Sequence, residues 1–291
     1  MNKRIAILGA TSHIAKGLID NFCTDKANKL YLFARSKDRV KDFLISISCG
    51  VVCKVKPFAE FGKDKYDVII NCVGVGNPAL LKEVGASIFE LTEEYDNLIL
   101  NYLENNRKSI YINFSSGAVY ADAPCFYSIA KLNSEAKHRL YHELKIMDLR
   151  VFAYFSRFID LKTEYLITGI INSIIDKKIL KTDKNNIVRD YIGSEDLFTL
   201  VRCCIKKSSN GTYDVYSKKV ARKFDILKGF HKEFGLDYEI SKTHIPISAT
   251  GAKDVYCSKN KKAQELGFKP KYGSLELLVK ETEAILGKRS R

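Results

Sequence analysis

The first 155 residues alternate short apolar runs with longer amphipathic stretches, and nothing else in the chain constrains its fold as tightly. Arg4–Leu8, Lys29–Phe33, Val51–Val55, Tyr66–Cys72, Ser109–Phe114 and Leu149–Phe155 read as strands, while Ile14–Phe22, Phe89–Asn105 and Tyr127–Leu144 carry helical periodicity. Strands of about five residues separated by helices indicate βαβ units and a parallel sheet. Near-continuous apolar strands fit a sheet covered on both faces. The expected architecture is α/β, a doubly wound parallel sheet of the Rossmann type. Past residue 160 the regularity weakens: Thr163–Ile179, Ser194–Ile205, Phe224–Phe234 and Leu275–Leu286 look helical, and Tyr213–Tyr216 and Tyr238–Ile240 look like short strands. This predicts a first domain over 1–160 and a smaller mixed α/β domain over 161–291, with a segment near 182–206 returning to the first.

Composition narrows the field. With 46% apolar residues the chain is far from a disordered composition. No apolar run approaches the ~20 residues of a membrane helix. Positions 5–10 follow Lys3 and Arg4 but are cut short by Thr11-Ser12-His13, too short for a signal peptide, so a cytoplasmic protein is expected. The 48 Lys and Arg against 34 Asp and Glu give +14, of which residues 206–291 (19 basic, 10 acidic) carry +9. Such a surface suits an anionic partner: nucleic acid, a membrane surface or a phosphorylated small molecule. No nucleic-acid-binding module is recognisable, so the charge is read as solvation around one anion-binding cleft. The eight cysteines form no Cys-x-x-Cys pair and no zinc-spaced set, predicting neither disulfide nor metal. His138 and His142, four apart on one helix with no third ligand, are expected at the surface.

Gly9-Ala10-Thr11-Ser12-His13-Ile14-Ala15 lies between the first strand and first helix. There a dinucleotide-binding fold seats its pyrophosphate, on a helix N-terminus whose free amides and dipole favour negative charge. Of the three usual glycines only Gly9 is present, with the small residues Ser12 and Ala15 in the other places. The second strand ends in Ala34-Arg35-Ser36 with no acidic residue. A carboxylate there would bind an NAD ribose hydroxyl, whereas Arg accommodates the 2′-phosphate of NADP. The expected cofactor is therefore NADP, with NAD as the alternative.

The most specific feature is Ser115-Ser116-Gly117-Ala118-Val119-Tyr120 at the end of the fifth strand, followed by Tyr127-Ser128-Ile129-Ala130-Lys131 opening a helix. Tyr and Lys at i and i+4 share one helix face. An ammonium beside a phenol favours phenolate, so the phenol can exchange a proton with a substrate oxygen nearer neutral pH.

With these motifs in place, the chain resembles the extended branch of the short-chain dehydrogenase/reductase superfamily, the NAD(P)-dependent nucleotide-sugar epimerases, dehydratases and reductases. The resemblance covers essentially the whole chain. It implies Ser116, Tyr127 and Lys131 as the catalytic set, with Lys131 also on the nicotinamide ribose. It implies cofactor contacts from Gly9, Thr11, Ser12, His13, Ile14, Arg35, Ser36, Cys72, Val73, Gly74, Asn97, Tyr127 and Lys131. Dehydratases of that family carry Thr-Asp-Glu where this chain has Ser116-Gly117-Ala118, so water elimination is not expected. Arg189, in Val188-Arg189-Asp190-Tyr191-Ile192, resembles the family's diphosphate ligand, and Arg157 and Lys253 are further substrate-binding candidates. The expected activity is NADP-dependent reduction of a keto group on a nucleotide-diphospho (deoxy)sugar. A 4-epimerase with tightly held NAD is the alternative, and a non-catalytic NADP sensor the second. Family members commonly pair through two helices each, implying a homodimer.

Overall fold

The computed structural model describes residues 2–76, 78–241 and 254–289. In chain order its elements are β1 (Arg4–Leu8), α1 (His13–Phe22), β2 (Lys29–Phe33), α2 (Lys37–Ser46), β3 (Val52–Lys56), β4 (Val68–Asn71), α3 (Pro78–Val84), α4 (Ile88–Glu104), β5 (Ile110–Ser116), α5 (Phe126–His138) and β6 (Lys145–Val151). Then follow β7 (Ala153–Tyr154), α6 (Leu166–Asp176), β8 (Leu180–Thr182), β9 (Val188–Arg189), β10 (Tyr191–Ile192), α7 (Ser194–Lys207), β11 (Gly211–Asp214), β12 (Ala221–Arg222), α8 (Lys223–Phe234), β13 (Tyr238–Ile240), β14 (Val255–Tyr256) and α9 (Ser274–Arg289).

Seven parallel strands form the main sheet in the order β11-β6-β5-β4-β1-β2-β3. The order reverses between β1 and β4, and an open α/β sheet binds ligands outside the carboxyl ends of its strands at such a switch point. The two-residue period of a strand sends neighbouring side chains to opposite faces. Ile5 and Ile7 of β1 therefore pack with Leu18, Ile19 and Phe22 of α1 and Leu197, Leu200 and Val201 of α7. Ala6 and Leu8 go to the other face, with Ile99, Leu100 and Leu103 of α4. A separate core joins α6, α8 and α9 through Ile170, Ile171, Leu227, Phe230 and Leu278. The chain returns to the sheet where α7 lies on α1, with the Phe22 and Phe198 rings edge to face at 4.9 Å, and β11 extends the sheet beside β6.

Three differences from the sequence reading have identifiable causes. α2 was not expected, because only Val40 and Phe43 of its ten residues are buried. The predicted helix to Leu144 ends at His138, and β6 begins at Lys145 instead of Leu149. Asp148 and Arg150 interrupt the apolar run but are satisfied inside the fold, Asp148 by Asn113 and His138 and Arg150 by Glu135. The expectation of no disulfide is also overturned: Cys23 is bonded to Cys49. Their sequence separation of 26 hid the pairing. The crossover topology brings the C-terminal ends of α1 and α2 to the same end of the sheet.

Candidate active site

The turn after β1 is built for close approach. Gly9 adopts φ +76°, and a Cβ there would stand 2.8 Å from the Cys72 carbonyl carbon and oxygen and 2.9 Å from the Val73 nitrogen. A side chain would fill the cradle where β1 and β4 run out. The Gly9 and Ala10 amides both donate to Phe33 O, at 2.9 and 3.0 Å, tying the turn to the end of β2. Ser12 caps α1 by accepting from the Ala15 amide at 3.3 Å. Thr11, Ser12, His13 and Ile14 thus surround the opening of a helix whose first-turn amides have no intrahelical acceptor. These residues fit a dinucleotide pyrophosphate. The His13 side chain turns elsewhere: Nε2 lies 2.9 Å from Ser156 Oγ, and burial lowers its pKa to about 4, so the ring is neutral. Cys72 donates its amide to Leu8 O at 2.9 Å, and Val73 donates to Asn71 Oδ1 at 3.0 Å.

Ser116, Tyr127 and Lys131 converge across the end of β5. Lys131 Nζ donates to Phe114 O at 2.9 Å and lies 5.9 Å from the centre of the Tyr127 ring. It also lies 4.0 Å from the position a Gly74 side chain would occupy, linking the catalytic helix to the loop after β4. Burial lowers the Lys131 pKa, opposed by Asp96, Asp148 and Glu135. Burial raises the Tyr127 phenol, while its hydrogen bond with Ser116 pulls the other way. The phenol is therefore protonated at neutral pH, not preset as phenolate. Ser116 Oγ also accepts from the Ala118 amide at 3.1 Å. At Gly117 a Cβ would lie 2.4 Å from the Phe152 ring, so only glycine allows the chain to turn here.

The sequence reading missed Tyr256. Its hydroxyl lies 3.3 Å from Ser116 Oγ, its ring 5.3 Å from that of Phe152, and it is almost wholly buried. A lone tyrosine more than a hundred residues away gave no signal. Below it, the Tyr120 hydroxyl donates to Asp214 at 2.9 Å, and Ser258 donates to the other Asp214 oxygen at 2.8 Å. His138 is likewise not at the surface. It is buried with Nδ1 2.9 Å from Asp148 and Nε2 2.8 Å from Asp96, and Tyr111 donates to the same Asp96 oxygen at 2.9 Å. Burial alone would lower the imidazole, but the two carboxylates hold its pKa at about 9.

The remaining candidates scatter. Arg35 is exposed beyond β2, near Tyr95, and Ser36 caps α2 by accepting from the Arg39 amide at 3.4 Å. Asn97 is exposed and accepts from Lys137 at 2.9 Å; the neighbouring Asp96 is the α4 residue that turns inward. Arg157 is paired with Glu281, at 3.0 Å from Nε and 2.8 Å from Nη2. Arg189 is buried, donates to Val188 O at 2.8 Å, and lies near Tyr256, Tyr191 and Asp254. Lys253 lies outside the described residues.

Fold and site together define an α/β protein with a doubly wound parallel sheet and a Ser–Tyr–Lys group at the end of β5. No family model matches the sequence, and no curated protein matches it. Solved structures do. The UDP-N-acetylglucosamine 4-epimerase of Methanobrevibacter ruminantium M1, in complex with UDP-N-acetylmuramic acid, superposes with TM-score 0.83 at 16% identity over 98% of this chain and 99% of that one. The UDP-glucose 4-epimerase of Bifidobacterium longum, in complex with NAD+ and UDP, gives 0.77 at 15% identity over 99% of each chain. The dTDP-glucose 4,6-dehydratase of Bacillus anthracis, in complex with NAD, gives 0.78 at 14% over 99% and 97%. The chain shares the fold of these epimerases and of this dehydratase. Among the described residues no helix is long and apolar enough to cross a membrane.

Proposed function

We propose that this protein is a nucleotide-sugar 4-epimerase that works by reversible hydride transfer with NAD. The observation that carries the reading is the meeting of Ser116, Tyr127 and Lys131 beside the Gly9 cradle. The fold's likeness to UDP-sugar 4-epimerases supports it. The cofactor would lie along the first turn of α1 and past Lys131, and when bound it supplies the hydride acceptor and donor. Tyr127 moves the proton at the sugar hydroxyl, Ser116 holds that oxygen, and Lys131 stabilises the phenolate. Arg189, buried near Tyr256 and Asp254, is the cation for the substrate diphosphate. Ser116-Gly117-Ala118 offers no carboxylate for eliminating water, which separates this chain from the dehydratase of the same fold.

One observation favours a second reading, an NADPH-dependent reductase of a keto-sugar: exposed Arg35 stands after β2 with no acidic residue at the strand end. The family resemblance adds the expectation of a homodimer paired through two helices of each chain. Incubation of the purified protein with UDP-hexoses, followed by proton NMR of the C4 configuration, tests the epimerase. Interconversion without added cofactor and with NAD retained through purification supports it. Stoichiometric consumption of NADPH against nucleotide-diphospho keto-sugars supports the reductase. Neither activity over a broad substrate panel overturns both.

A further inference from the structure

The third cysteine beside the Cys23–Cys49 disulfide changes what that bond can be. Cys53 Sγ lies 3.7 Å from Cys49 Sγ, and all three sulfurs fall within 4.8 Å of one another. Each thiol stands on a fixed backbone. Cys23 ends α1 with its amide on Ile19 O at 2.9 Å; Cys49 donates to Leu44 O at 3.1 Å after the left-handed turn at Ser48; Cys53 is paired with Leu30 in the sheet. The group lies at the amino end of β2 and β3, at the opposite end of those strands from the Gly9 turn. The hydride-transfer reading does not use it.

We infer that, once the disulfide is reduced, Cys23, Cys49 and Cys53 form a three-thiolate site for a thiophilic cation of the Zn2+ or Cd2+ class, the disulfide being its metal-free oxidised form. Three thiolates about 2.3 Å from one ion stand about 3.8–4.0 Å apart, and the Cys49–Cys53 separation is already 3.7 Å. Sulfur donors select soft and borderline ions over Mg2+ and Ca2+. An external phosphine or dithiol supplies the two electrons that open the disulfide, two protons completing the thiols. The cation then displaces three thiol protons to solvent. With three thiolates the site carries −1 around a divalent ion, and Lys26 lies close by, its Cε 3.9 Å from where a Gly50 side chain would begin. The group holds no fourth ligand among the described residues, so a water or small anion completes the shell.

The test is anaerobic titration of phosphine-reduced full-length protein with Cd2+, read by the ultraviolet thiolate-to-cadmium band and by protons released. One equivalent is expected per chain. Cys53→Ser should weaken binding by at least about a hundredfold, beyond the loss typical of an outer-shell ligand partner. Cys203→Ser should leave it unchanged. The oxidised wild-type protein, which needs no substitution, should take up none. Uptake by the oxidised form equal to the reduced form, no stoichiometric uptake by the reduced form, or indifference to Cys53→Ser each overturns the site.

Discussion

The Tyr256 hydroxyl, carried by β14, stands 3.3 Å from Ser116 Oγ at the end of β5. Residues 140 apart thus share one hydrogen bond at the centre of the candidate site. Ser116 is flanked by two phenols, Tyr127 on the catalytic helix and Tyr256 from the far part of the chain. Tyr256→Phe keeps the ring against Phe152 and removes only the hydroxyl. One such bond is worth about 1–1.5 kcal/mol, so kcat/KM for the sugar should fall roughly tenfold. Dinucleotide affinity, measured by fluorescence titration, should not change. A drop in cofactor affinity of the same size would mean that Tyr256 acts on the fold and not on Ser116.

Tyr127→Phe removes the proton-transfer group itself. Turnover should fall by roughly 10²–10⁴-fold, the span of a positioned acid–base group. Because burial raises the Tyr127 phenol, kcat/KM of the wild-type enzyme should climb as pH rises above neutral, and the residual activity of the variant should lose that slope. Steady-state profiles across pH 6–10 decide it. A variant with full turnover would remove Tyr127 from the reaction.

The parts of this molecule that were legible in its sequence are those specified by local pattern. β1 and β2 match their apolar runs residue for residue, and the Gly9 turn and the Tyr127–Lys131 spacing lie on the elements expected of them. What the sequence hid are groups whose meaning depends on a distant partner. Asp148 and Arg150 look wrong for a strand until His138, Asn113 and Glu135 satisfy them. Arg157 gives no hint of its partner Glu281, 124 residues further on in α9. Cys23 and Cys49 are ordinary apolar fillers until two crossover helices end side by side. No periodicity or spacing rule reaches across such separations.

Arg157 should therefore behave as a structural cation. Its guanidinium is half-buried and bidentate on Glu281, which is almost fully buried. Arg157→Ala leaves that carboxylate without its counter-ion and should cost about 2–4 kcal/mol of stability. Urea denaturation should show a lower midpoint with an unchanged slope, and KM for the nucleotide sugar should hold. A raised KM at unchanged stability would return Arg157 to the substrate.

Arg35 tests the cofactor directly. It is exposed at the end of β2, where an acidic residue would take a ribose hydroxyl and a cation a 2′-phosphate. Arg35→Asp should weaken NADP at least about tenfold, the loss of one charge-assisted phosphate contact, and leave NAD equal or tighter. Equal loss of both dinucleotides would point to damage in the β2–α2 turn instead of selectivity.

The buried His138 makes stability depend on pH. Its pKa is about 9 in the fold against an ordinary 6.5, because Asp148 and Asp96 each accept from the ring. Lys137 also pairs with Asp96, and Asn113 donates to Asp148, so each carboxylate has a second partner besides the imidazole. A group whose pKa is raised by folding adds stability that is complete below its unfolded value and lost as pH climbs through the folded one. The protein should thus be most stable from this source near pH 6 and lose about 2–3 kcal/mol by pH 9.5. The partner acts at the other end: the Asp96 pKa is held down, so its share is present above pH 4 and lost on further acidification. Calorimetry of the wild type should show Tm falling between pH 6.5 and 9.5. His138→Gln, with no group titrating there, should be less stable at pH 6 and nearly flat across the window. A wild-type Tm that is flat over the same window would mean that His138 is neutral between its two carboxylates.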